Sequence, residues 1–395
     1  MTHTDDHYQQ ALANVTPNTL QFYKPDPVSH ATIQSWFFAD LLQWQQRSWQ
    51  YLTEHFPNLP HAMLFAGNAG TGKRAFVYRF VAWVLCQQKT VNHQQVATAC
   101  GHCQSCQWLI AQTHPSLYQL PSIAIAEDTS PTSLTSKKNK PISAAKTTKP
   151  IDEAPTHQHA AMIKIDDIRQ IQPFVQQSSE GIRLVIIHQA EAMTLGASNA
   201  LLKTLEEPAD NVLMCLISDT PSQLLPTIRS RLQSVPVSYI TSQQSFDYIQ
   251  RQLPNVTASD IEQVNKLSGF APFVALDMLH ANWYQHRQTW INSWQAVRSG
   301  QRSALQASDY WQKTLSLSDF LFLSSAMLTQ LADYLAFGDT DNTTAGLNLQ
   351  KLEPLPSFMS IFKLQQIIEE IWQDRRQHIQ DKLCYDKLIF AMQTL

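Results

Sequence analysis

Two hydrophobic rhythms divide the chain. Up to about residue 240, short apolar runs alternate with stretches whose apolar positions recur at helical spacing. Beyond that point the helical spacing continues almost alone. "HAMLFAG" (61–67), "IRLVIIHQ" (182–189) and "VLMCLIS" (212–218) read as buried strands, and the segment around Leu117–Leu120 as a further one. "KRAFVYRFVAWVLCQ" (73–87), "IKIDDIRQIQPFVQ" (163–176) and "SNALLKTLEEP" (198–208) read as helices, the last with Ser198 as expected N-cap and Pro208 as its stop. Trp36, Phe37, Leu41, Trp44 and Leu52 share mainly helical spacing and read as core. Strands alternating with helices predict a parallel α/β sheet. "SFDYIQRQL" (245–253), "ASDIEQVNKLSGF" (258–270), "SDFLFLSSAMLTQLADYLAF" (318–337) and "KLQQIIEEIWQDRRQHIQ" (363–380) predict helices after it.

The expected organisation is therefore a polar leader over 1–30, an α/β domain over 31–240, a small helical domain over 241–282 and a larger one over 283–395. Residues 124–160, rich in Ser, Thr, Pro, Lys and Ala, read as an inserted loop without a core of its own. Within the helical part, spacing leaves open whether Trp283, Trp290 and Trp294 face an intrachain core or a partner.

Composition narrows the class. The chain has 395 residues, 44% of them hydrophobic, and a formal net charge of −3. That balance argues against a uniformly basic nucleic-acid coat and leaves a local basic face open. "MTHTDDHYQQ" at the start has no apolar signal core, and no uninterrupted apolar stretch reaches the roughly 20 residues needed to span a bilayer. A soluble, cytoplasmic protein is expected.

Four of the six cysteines fall in one stretch, Cys86-x13-Cys100-x2-Cys103-x2-Cys106. Short C-x-x-C turns let thiolates converge on one ion, and four thiolates complete a closed, structural Zn²⁺ site. A redox pair and ordinary buried thiols are the rival readings. The long gap makes Cys86 the least secure ligand, with His93 and His102 as substitutes. Cys215 and Cys384 lie in apolar segments and read as core.

"GNAGTGKRAF" (67–76) sits between a strand and a helix. Gly67, Gly72 and Lys73 fill the G-x-x-x-x-G-K frame, whose backbone N–H groups cradle phosphates and whose lysine reaches the β- and γ-phosphates. Gly70 lies in the same loop. The next position needs a Ser or Thr hydroxyl for Mg²⁺ and holds Arg74 instead. The strand that should end in a metal-holding carboxylate ends in His188-Gln189, and Glu191 is displaced along the chain. Both protein-side supports for Mg²⁺ are missing, so weak nucleotide binding without hydrolysis, or a purely structural turn, is expected.

"SNALLKTLEEP" followed one strand later by "TIRSRL" (227–232), with the cysteine cluster after the P-loop helix, resembles the bacterial DNA polymerase III clamp-loader subunits. That resemblance covers roughly 60–280 by motif. It implies an AAA+ P-loop domain with an inserted zinc module over about 86–114, a helical lid over 241–282 and an oligomerising collar over 283–395. The hydrolysing gamma/tau members carry an intact P-loop, an Asp-Glu pair and a Gly-x-x-Arg in the lid. Here those places read "GNAGTGKR", "IIHQ" and Gly269-Phe270-Ala271-Pro272, while Ser230 and Arg231 of the Ser-Arg signature remain and Leu232 replaces its usual Cys. The pattern resembles the delta-prime branch of the family. The resemblance implies a non-hydrolysing subunit whose Arg231 completes a neighbour's ATP site. Its implied partners are gamma/tau and delta subunits, with the sliding clamp and primed DNA reached through the assembly. A self-sufficient AAA+ ATPase and a zinc-centred nucleic-acid-binding module with a relic P-loop are the alternatives.

Overall fold

The structure, a computed structural model, describes residues 36–92, 95–120, 162–177, 181–237, 239–338, 354–374 and 380–394. The expected leader, the whole of the expected insertion and His93 lie outside them. Two compact units are present: an α/β unit of Pro25–Gly67 and Lys73–Val237, and a helical unit containing Asn68–Gly72 and Ser238–Leu395.

The α/β unit is built on β1 (Ala62–Ala66), β4 (Leu117–Leu120), β5 (Arg183–Ile187), β6 (Val212–Ser218) and β7 (Gln233–Pro236). They form one parallel sheet in the order β4-β5-β6-β1-β7. Alternation along each strand sends side chains to two different cores. Met63, Phe65, Leu184, Ile186, Cys215 and Ile217 pack on one face, with α1 (Gln46–His55) and α2 (Lys73–Leu85). Leu64, Val185, Ile187, Met214 and Leu216 pack on the other, with α4 (Ile165–Gln176), α5 (Leu195–Glu206) and α6 (Pro226–Arg229). Both faces are covered, which is why these strands read as continuous apolar runs rather than as alternating ones.

The structure adds two corrections. Helix α5 begins earlier than expected: Thr194, not Ser198, is the N-cap, its Oγ1 accepting from Ala197 N–H at 3.1 Å. A hydroxyl at 194 meets the unpaired first-turn donors, so the apolar repeat of "SNALLKTL" is only the later part of the helix. Strand β7 was not anticipated because "QSVP" buries only Val235 among its four residues. It is an edge strand and carries no hydrophobic run.

In the cysteine region, α2 is followed by a hairpin of β2 (Thr90–Val91) and β3 (Ala97–Thr98), then by α3 (Gln104–Ile110). Cys86, Cys103, Cys106 and Leu109 join the same core as α2.

The helical unit contains α7 (Ser242–Gln252), α8 (Ala258–Leu267), α9 (Pro272–His280), α10 (Arg287–Arg298), α11 (Ala304–Thr314), α12 (Leu317–Phe337), α13 (Phe358–Asp374) and α14 (Asp381–Thr394). Residues from both expected helical domains share one hydrophobic core. The tryptophans left open by spacing lie inside it. Trp290 Nε1 donates to Ser324 Oγ at 2.9 Å, and Trp294 Nε1 to the Met392 carbonyl at 2.6 Å. Trp283 is buried as well. Among the described residues no single helix is long and apolar enough to cross a membrane.

Candidate functional site

In open parallel sheets, binding sites form beyond the carboxyl ends of the strands. Here β5, β6 and β1 are neighbours, so their carboxyl ends bring His188, Asp219 and Gly67 to one edge of the sheet. Gly67 N–H donates to the Ser218 carbonyl at 3.3 Å.

Lys73, the lysine of the phosphate-binding frame, opens α2 and is almost wholly buried, with 3% of its side chain exposed. Its Nζ is ion-paired with the Asp219 carboxylate, the first residue after β6. Burial pushes the Lys73 ammonium below its ordinary value, and the Asp219 carboxylate opposes that shift. Arg74 lies 3.8 Å from the other Asp219 oxygen. Glu191 Oε1 accepts the Asp219 N–H at 3.0 Å, so Glu191 braces the carboxylate that holds the lysine. An acidic side chain thus stands opposite the P-loop lysine, where a phosphate would need to be. The sequence showed Lys73 and Arg74 but not this partner.

His188 supplies no carboxylate and no charge. It is buried, and burial, with Arg74 nearby adding to it, pulls its pKa down to about 3. Its Nε2 lies 2.9 Å from the Tyr78 hydroxyl, which also lies 2.6 Å from Gln119 Oε1. When the hydroxyl donates to Gln119, His188 Nε2–H donates to the hydroxyl oxygen. Gln189, its neighbour, adopts a left-handed backbone with φ 47°.

The loop apex belongs to the helical unit. Gly70 has φ 70°, and its carbonyl accepts the Phe273 N–H at 3.1 Å. A Cβ at this position would lie 2.3 Å from Val274 Cγ2, so only glycine admits the approach of α9. Gly72 also has positive φ, 81°. The residues around Phe270–Pro272, where a Gly-x-x-Arg would carry its arginine, instead lead α9 onto the loop apex.

The four thiols of Cys86, Cys100, Cys103 and Cys106 lie within 4.8 Å of one another. Cys86 Sγ is 3.9 Å from Cys103 Sγ, and Cys100 Sγ is 3.9 Å from Cys106 Sγ. A tetrahedral site with Zn–S bonds of about 2.3 Å needs sulfur separations of about 3.8 Å, so the donors fit. The thirteen-residue gap after Cys86 folds back as the β2–β3 hairpin, which returns Cys100 to Cys86; Cys100 N–H donates to Cys86 Sγ at 3.3 Å. Although burial raises the Cys103 thiol, N–H groups of Cys106 and Gln87 and the neighbouring thiols outweigh it and hold the pKa down to about 6. His102 stands apart: it is exposed, with Nδ1 2.8 Å from the Cys100 carbonyl oxygen. With four sulfurs and no open position, the set suits a structural ion rather than a catalytic one.

Ser230 and Arg231 follow α6 on the surface. Arg231 Nη2 pairs with Glu206 Oε1 at 2.6 Å, and Nη1 donates to the Thr227 carbonyl at 2.9 Å and to Ser230 Oγ at 3.4 Å. Leu232 packs against the core below, where a cysteine would be smaller. Arg229, two residues earlier, is exposed and takes no place in this cluster.

Residues 44–241, half of the chain, match the family model described as DNA polymerase III, delta subunit. The chain belongs to this family. Among relatives, "DNA polymerase III subunit delta'" of Pseudomonas aeruginosa is 34% identical over 239 residues, which is 60% of this chain and 61% of that protein. The Escherichia coli protein of the same name is 27% identical over 231 residues, 58% of this chain and 57% of its own length. "DNA polymerase III subunit tau" of Bacillus subtilis is 28% identical over 185 residues, 46% of this chain and 25% of that protein. The matched part of this family member therefore spans less than two-thirds of the delta' relatives. Delta' and tau are both similar to it, the delta' match of Pseudomonas aeruginosa covering 60% of this chain and the tau match 46%.

Proposed function

We propose that this chain is a DNA polymerase III clamp-loader subunit of the delta-prime type. It does not hydrolyse ATP itself, and it offers Arg231 across an interface to ATP held by a neighbouring gamma/tau subunit. The observation that carries this reading is the pairing of Lys73 with Asp219 in a chain that still presents Arg231 on its surface. A P-loop lysine bound to its own carboxylate is not available to β- and γ-phosphates. Arg74 stands where the metal-binding hydroxyl belongs, and neutral His188 where a carboxylate belongs. Phosphoryl transfer depends on positioned Mg²⁺ and charge stabilisation, so the loss of all three removes hydrolysis.

Arg231 suits the remaining role. A guanidinium delivered in trans to the developing charge of a transferred phosphoryl group accelerates hydrolysis by about 10³-fold or more, and its planar fork matches phosphate oxygens as a lysine does not. Ser230 shapes the turn that presents it. In this reading the subunit is a cytoplasmic stator. It assembles with gamma/tau and delta subunits through its C-terminal helices, the proposed collar over 283–395, behind the proposed lid over 241–282. The assembly acts on the sliding clamp and primed DNA. The four-thiol module holds a structural Zn²⁺ and takes no part in hydrolysis.

The test begins with an ATP titration of the purified chain, with and without Mg²⁺, beside a hydrolysis assay. No turnover and weak or absent binding are expected. Arg231→Ala in the complex reconstituted with gamma/tau and delta subunits should then lower the ATPase of the complex. Robust Mg²⁺-dependent turnover by the isolated chain would overturn the reading.

A further inference from the structure

The stretch "SNALLKTLEEP" is part of the motif by which the chain resembles its family, yet nothing so far gives its acidic end a task. The structure assigns one. Glu206 is the last residue of α5, and α6 leads into Arg231; the two helices bring the carboxylate and the guanidinium together at 2.6 Å. We infer that Glu206 is a positioning residue for Arg231: it fixes the guanidinium in the orientation in which it is presented to a neighbouring nucleotide. This rests on the reading that Arg231 acts in trans.

The geometry favours positioning over mere neutralisation. Arg231 is gripped from two sides, Nη2 by Glu206 Oε1 and Nη1 by the Thr227 carbonyl, with Ser230 Oγ at 3.4 Å. Two acceptors on separate nitrogens define the plane of the fork as well as its place. A guanidinium has five N–H donors, so this grip leaves others to meet phosphoryl oxygens. An ungripped arginine carries about 2 kcal/mol of rotamer entropy, which must be surrendered when the side chain reaches its target. Holding it in advance moves that cost out of the chemical step.

The pair is also a poor stabilising device. Its side chains are 36% and 50% exposed, and exposed ion pairs of this kind contribute little to folding. Removing Glu206 should therefore leave the fold intact while loosening Arg231, which makes the two roles separable.

The experiment is a mutant cycle in the complex reconstituted with gamma/tau and delta subunits, reading clamp- and DNA-stimulated ATPase for Glu206→Ala, Arg231→Ala and the double variant. Glu206→Ala is expected to lower kcat roughly threefold to tenfold with KM for ATP unchanged, and Glu206→Asp to recover part of the loss. In the Arg231→Ala background Glu206→Ala should have no further effect, because its only route is through the arginine. An equal loss in that background would mean that Glu206 acts on packing or assembly, and would overturn the inference. So would unchanged or raised ATPase in Glu206→Ala alone, the latter marking the carboxylate as a brake. If Arg231→Ala itself leaves ATPase unchanged, the trans role fails and takes this inference with it.

Discussion

His188 and Tyr78 meet inside the α/β unit, Nε2 to hydroxyl at 2.9 Å, at the place where a working ATPase would keep an exposed carboxylate for its metal. Burial holds His188 neutral, with its pKa down to about 3, whereas in the unfolded chain a histidine titrates near 6.5. Above that value neither state is protonated and the histidine costs nothing. As pH falls from about 6.5 towards 3, the unfolded chain takes up a proton that the native state refuses, so stability is lost by up to about 1.4 kcal/mol per pH unit. Urea unfolding between pH 4.5 and 8 should show a shallower acid limb for His188→Gln than for the unaltered chain. Parallel curves would assign the acid sensitivity to other groups.

Removing the carboxylate from the Lys73–Asp219 pair takes the paired charge from a nearly buried ammonium. Asp219→Asn should destabilise the chain by about 2–4 kcal/mol, somewhat less than for a fully buried pair because a quarter of the Asp219 side chain is exposed. Lys73→Met in the same background should recover much of that loss. The urea midpoints of the three variants check both statements. Asp219→Asn should also raise affinity for inorganic phosphate, measurable by calorimetry, since the lysine is released from its internal anion.

Gly70 admits no side chain. Its φ of 70° disfavours an L-residue, and an added Cβ would lie 2.3 Å from Val274 Cγ2 and 2.9 Å from the Val274 backbone nitrogen. Gly70→Ala should lower stability by about 2–4 kcal/mol, of which the backbone conformation accounts for roughly 1 kcal/mol. Adding Val274→Ala should not restore the original melting temperature, because the backbone strain and the contact with the Val274 nitrogen both persist.

One zinc ion per chain is expected by elemental analysis. Stripping it with a chelator should lower the melting temperature by several degrees and speed hydrogen exchange in α3 and the β2–β3 hairpin. Cys103→Ser should reproduce the effect without chelator. Exchange in α4 and α5, which pack in the core on the other face of the sheet, should change least.

What the sequence disclosed followed from what repeats locally. Strands β1, β5 and β6 were legible because both faces are buried, so the run Leu184–Ile187 is apolar throughout. The frame around Lys73 and the C-x-x-C pairs were legible because their spacing is itself the chemistry. Helix spacing could not tell Trp290 and Trp294 from interface residues, since burial by Ser324 and Met392 depends on helices distant in the chain. For the same reason Asp219 gave no signal: a single aspartate after a strand is ordinary until β6 is seen beside β1. The long spacing after Cys86 looked like a weakness in the metal set because a short hairpin with few apolar residues leaves little pattern. Glu206 was visible within its motif, but its task depends on α5 and α6 converging.

Helix α2 is fastened at both ends. Lys73 at its first residue is tied to Asp219, and Cys86, just past its last, belongs to the thiol cluster. Thirteen helical residues make a rod of about 20 Å. In a nucleotide switch such a rod carries news of phosphate arriving and leaving, because its front end is gripped only when the ligand is there. Here the front end is gripped by the chain's own carboxylate, and the back end is set in the sulfur cluster. On the proposed reading the rod is a tie-beam: it sets a length within the α/β unit and has no signal to pass.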